Sequence, residues 1–122
     1  MDHERWPRAI AAAEEREQQA LELQLRDRNK IVRKAALNAL ERMPGERNVG
    51  LIATVLRDPD LEARNKAIDL LIRIRSPATM KHLVEVLRDE SEDARRAAVE
   101  VLNGMADVAT LKHLLSALED QD

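Results

Sequence analysis

The triplet Leu-Arg-Asp occurs at Leu25-Arg26-Asp27, again at Leu56-Arg57-Asp58 and again at Leu87-Arg88-Asp89, at a constant interval of 31 residues. A fixed period of this length restricts the chain to one supersecondary unit stacked on copies of itself. The register is kept throughout each copy. Arg33, Arg64 and Arg95 share one position, Ala36, Ala67 and Ala98 another, Leu37, Ile68 and Val99 the next, and Leu40, Leu71 and Leu102 another three residues on. Apolar residues at that spacing make one face of a helix.

Length and composition agree with a single all-α domain spanning 1–122. A chain of this size buries roughly 65–70% of its unfolded surface, enough for a continuous core. Leu, Ile, Val, Ala and Met fill that core, with Trp 1, Phe 0 and Tyr 0, while 35% of the residues are charged. Twenty basic and 23 acidic side chains leave a formal charge of −3, so no global field draws the chain to nucleic acid or an anionic membrane. With Cys 0, disulfides, thiolate metal sites and cysteine nucleophiles are excluded. Neither a signal-peptide pattern nor an apolar run of membrane-spanning length is present, and the expected location is cytoplasmic.

The punctuation predicts about seven helices. A capping repeat covers 7–43, with helices over Pro7–Leu25 and Lys30–Met43 and a stop at Pro44-Gly45. The second repeat, 47–74, has a helix from Arg47 to Leu56 containing Gly50, then one that Asp58 caps, with Pro59 in its first turn, running to Ile74. The third, 78–104, starts after Ser76-Pro77, has Asp89 and Glu92 at capping-box spacing, and is ended by Gly104. A final helix, capped by Asp107, covers 108–119 as half a repeat. Gln18 and Glu22 are polar where later copies have Val49, Met80 and Leu111, and Ala53, Val84 and Leu115. That substitution marks the start of an array, over which Trp6 is expected to lie as a lid.

The aspartate after each first helix (Asp27, Asp58, Asp89), the small apolar residue and arginine six residues on (Val32-Arg33, Ala63-Arg64, Ala94-Arg95) and the Ala and Leu positions that follow resemble HEAT repeats. The likeness is to the short bacterial form similar to that of phycobilin lyases, and covers nearly the whole chain. It implies a right-handed α-solenoid with first helices on the convex side and second helices on the concave side. It also implies an aspartate–arginine ladder between repeats, made of Asp27, Arg33, Asp58, Arg64, Asp89 and Arg95. Asp120 holds the same position in a fourth, half-built copy and has no ladder role. In this family function is mostly protein binding, and the fold alone does not settle it.

Subtracting the core positions leaves three rows on the second helices: Lys34, Asn65 and Arg96; Asn38, Asp69 and Glu100; Glu41, Ile72 and Asn103, with Arg42 and Arg73 beside the last. Candidate partner-binding residues are Lys34, Asn38, Asn65, Asp69, Ile72, Arg73, Arg96 and Glu100. The mixed charge suits a protein or peptide, and Ile72 is the apolar member that could anchor it. The expected function is therefore a non-enzymatic interaction or scaffold module using the concave face, with no cofactor. Lys81-His82 and Lys112-His113 repeat in register but should point in parallel, about 8–10 Å apart, which does not suit one metal ion. His3-Glu4 resembles a single one of the His-Glu pairs that deoxyhypusine hydroxylase, a HEAT-repeat enzyme, needs in several copies.

Nucleic acid is the rival partner, through Arg26, Arg28, Lys30, Arg33 and Lys34 with Arg57 and Arg88 at the turn edge. Without Phe or Tyr to stack bases, only weak backbone contact would result, and this partner is disfavoured. Leu111, Leu114, Leu115 and Leu118 form a stripe on the last helix at which two copies could meet as a homodimer.

Overall fold

The computed structural model describes residues 5–43, 45–106, 112, 115–117 and 119. All regular structure among them is helical: α1 (Arg5–Gln24), α2 (Lys30–Arg42), α3 (Val49–Thr54), α4 (Leu61–Ile74), α5 (Thr79–Leu87) and α6 (Glu92–Met105). Tighter 3-10 turns, Glu46–Asn48 and Val55–Arg57, extend α3 at both ends and complete the predicted helix there. Lys112, Leu115–Ala117 and Glu119 are helical, while Asp107, Leu111, His113, Leu114, Leu118 and Asp120 lie outside the described residues. So do His3, and Pro44 of the predicted stop.

The chain divides into two compact units, Met1–Ala36 and Leu37–Asp122. In the first, α1 buries only Leu21. Ile10 and Leu23 stay exposed, and Glu22 pairs with Arg26 at 3.2 Å. Trp6 is 68% exposed, so it does not act as the expected lid.

In the second unit α3 packs on α5 and α4 on α6, while α3–α4 and α5–α6 form antiparallel pairs. First helices thus make one layer and second helices the other. Leu40, Ile52, Leu56, Leu71, Leu83, Ala67, Ala98 and Val101 are sealed between them. Each fully buried leucine contributes roughly 1.5–3 kcal/mol of hydrophobic stabilisation. The positions at which α1 is polar are closed here: Val49 and Met80, and Ala53 and Val84, are all buried.

The turn between first and second helix is built identically three times. Asp27, Asp58 and Asp89 each accept, through Oδ1, the backbone N–H two residues on, at 2.7, 2.8 and 2.9 Å. The residue so held is the helix cap: Asn29 accepts the N–H of Ile31, Asp60 that of Ala63 and Ser91 that of Ala94. The expected caps Asp58 and Asp89 are therefore displaced by Asp60 and Ser91. A proline at Pro59 fits outside the helix because its missing N–H is not needed there. Each repeat arginine then closes the turn, as Arg33, Arg64 and Arg95 donate through Nη1 to the carbonyls of Asp27, Asp58 and Asp89 at 3.0, 2.9 and 2.6 Å.

Two further helix ends depart from expectation. Gly104 does not end α6, which runs through it to Met105 with no left-handed glycine. At the end of α4, Arg75 takes the left-handed conformation at φ 49°, and its N–H donates to Leu71. That is the task a glycine usually performs.

Candidate functional site

The second helices α4 and α6 pack directly on one another and present their outward side chains side by side. Asn65 and Asp69 on α4, and Arg96 and Glu100 on α6, are exposed. Arg96 turns back one helical turn to Glu92 at 3.1 Å. Ile72 is half-buried and serves as a packing residue: a Cβ built on Gly104 would lie 2.7 Å from its Cγ1, and closer still to Cδ1. Gly104 is thus the notch in α6 that receives Ile72, which explains an apolar side chain in a polar row. Lys34 is exposed on the part of α2 that belongs to the first unit.

Between the second half of α2 and α4 lies a polar junction. Lys66 donates to Oδ1 of Asn38 and stands 3.3 Å from Glu41, which Arg73 approaches to 3.6 Å. Neither Lys66 nor the sharing of Glu41 was anticipated. A signal existed, because Lys66 holds the position of Ala35 and Ala97 in the neighbouring copies. Beside this junction Glu41, Gly45, Glu46, Leu70, Arg73 and Ile74 line an open groove of about 480 Å³. Glu46 also receives the hydroxyl of buried Ser76 at 3.3 Å.

The turn edge is an ion-pair rim. Arg57 Nε meets Oδ2 of Asp89 at 2.7 Å, joining the turns of successive repeats. Arg64, besides closing its own turn, points Nη2 at Asp93 of the next repeat, at 4.0 Å. Arg64 thus serves both its own turn and the next repeat, and Arg57 of the Leu-Arg-Asp triplet adds a second link between the same two repeats. A half-exposed pair of this kind contributes at most about 1 kcal/mol.

His82 is half-buried against Gly50, where an added Cβ would lie 3.2 Å from its Cε1. Burial holds its pKa below the usual 6.5, Lys81 lowers it further, and Glu85 opposes both. Among the described residues no three His, Asp or Glu side chains come together in a metal-binding group. Nor is any described helix long and apolar enough to cross a membrane.

Paired helices in two layers, repeated turns and a constant period find their counterpart in a known family. The family model for HEAT repeats matches residues 17–103 and 49–122. The chain belongs to the HEAT-repeat family. No curated protein matches it. HEAT repeats generally mediate protein–protein interaction or scaffolding, and are typically not enzymes.

Proposed function

We propose that this HEAT-repeat chain is a non-enzymatic interaction module that binds a protein or peptide through the outward side of its second helices. One observation carries the reading. Asn65, Asp69, Arg73, Arg96 and Glu100 stand exposed on α4 and α6, two helices held in register by sealed core contacts. The backbone that carries them is already ordered, so the ordering cost of binding falls on the exposed side chains and not on the helices. Asn38 and Ile72 belong to the same face as supports: the first holds Lys66 and the second holds Gly104. The cytoplasm is the proposed compartment.

Affinity capture from a native lysate tests the proposal, with wild-type chain compared with Asp69→Arg/Glu100→Arg and with nuclease added or omitted. A protein retained by the wild type, lost by the variant and indifferent to nuclease is the expected result. Retention abolished by nuclease would transfer the surface to nucleic acid, and retention unaltered by the variant would remove α4 and α6 from the interface.

A further inference from the structure

The charges on the α4–α6 face are sorted by their pairing. Arg96 lies one helical turn from two carboxylates, Glu92 before it and Glu100 after it, and pairs with Glu92. Arg73 lies one turn beyond Asp69, yet reaches across to Glu41. Lys66, the third cation beside this face, also goes to Glu41 and to Asn38. Every cation thus turns away from the middle of the face. Among the described residues Asp69 and Glu100 enter no hydrogen bond or ion pair, and the amides of Asn65 and Asn103 beside them are likewise unengaged.

From this sorting we infer that the partner on the α4–α6 face is basic, a segment carrying lysine or arginine side chains; the inference rests on the proposed binding role of that face. Asp69 and Glu100 hold equivalent positions on directly packed helices, so they stand about 8–10 Å apart. Cations three residues apart on a segment in the polyproline-II conformation lie on one side of it about 9 Å apart and can reach both. The flanking amides accept further donors from the same chain. Towards α2 the balance reverses, since Lys66 and Arg73 share the one carboxylate of Glu41. A basic segment is therefore held over α4 and α6 and turned away from the α2 side, which gives the interaction a direction as well as a sign.

The test uses two labelled Gly/Ser peptides, one with lysine and one with glutamate at every third position, against the full chain and its Asp69→Asn/Glu100→Gln variant. Both changes keep size and sit on exposed positions, so melting should not move. The expected result is binding of the lysine peptide alone, weakened about five- to tenfold in the variant and by added salt. Equal binding to the variant, or preference for the glutamate peptide, would overturn the inference. The captured protein separates the two levels of the reading. If Asp69→Arg/Glu100→Arg releases it but Asp69→Asn/Glu100→Gln does not, the face binds without using charge and only the basic partner is refuted. If neither variant releases it, the binding face is refuted as well.

Discussion

The two layers of the second unit meet the same packing problem at their repeat-to-repeat seams and solve it with different chemistry. In the second-helix layer Ile72 of α4 lies in the notch left by Gly104 of α6. In the first-helix layer His82 of α5 lies over Gly50 of α3. Both glycines sit inside helices, where each costs roughly 1 kcal/mol relative to alanine. Neither is there for a left-handed backbone. Both permit close approach, but one seam is apolar and tight, and the other is looser and carries a titratable ring. The tighter of the two seams thus lies in the second-helix layer, the layer proposed to bind.

The largest expected effect comes from closing the tight notch. Gly104→Ala should destabilise the chain by about 1–3 kcal/mol, because the new Cβ meets the branched root of Ile72, and overpacking outweighs the helix-propensity gain. Urea unfolding measures this. Ile72→Ala in the same chain should recover part of the loss, a non-additivity that marks direct contact. A stabilised Gly104→Ala would mean that the two seams do not differ as described.

The first-helix layer contains a polar flaw that can be removed. Thr79, at the start of α5, is fully buried, and its hydroxyl finds no partner among the described residues. Thr79→Val keeps the shape and deletes the unsatisfied group, so a gain of about 1 kcal/mol is expected. A loss of stability on denaturant titration would show that the hydroxyl is satisfied after all.

His82 makes the same seam sensitive to pH. The folded state binds its proton less readily than the unfolded chain, whose histidine titrates near 6.5. As pH falls through that value the unfolded state gains a proton that the folded state does not, and stability declines until the folded-state pKa is also passed. The effect is modest, because the ring is only half-buried. Comparing the denaturation midpoint at pH 7.5 and 5.5 should show a larger acid loss in wild type than in His82→Gln. Equal losses in the two would place no perturbed histidine at this seam.

How far these features were legible depends on whether they are periodic or paired. Core positions repeat with the 31-residue interval, so Leu40 and Leu71, and Ala67 and Ala98, could be placed from sequence and are buried. The polar first helix was legible by the same comparison, since Gln18 and Glu22 depart from an otherwise apolar column. The caps are hidden in the sequence although Asn29, Asp60 and Ser91 are all strong capping residues, because the more regular aspartate two positions earlier offers the same chemistry. Gly104 reads as a helix stop in the sequence because its role as a notch makes sense only against Ile72. Sequence spacing along one helix does not give the rotation that brings α4 against α6. Lys66 shows the remaining limit: its column reads alanine in the neighbouring copies, but only the fold shows that a cation there reaches Asn38 and Glu41.

The smallest expected effect completes the contrast between the seams. Gly50→Ala introduces a Cβ at 3.2–3.3 Å from two atoms of the His82 ring, a contact that a displacement of a few tenths of an ångström relieves. Imidazole at the end of a side chain can make that movement, whereas the branched root of Ile72 cannot. The propensity gain of roughly 1 kcal/mol and the cost of moving the ring are therefore close to balanced. The change in stability should stay within about 0.5 kcal/mol, with either sign acceptable. Combining Gly50→Ala with His82→Ala frees the propensity term, so the glycine substitution should become stabilising in that background. If Gly50→Ala costs as much as Gly104→Ala, the first-helix seam is as rigid as the second, and the mechanical distinction between the layers is lost.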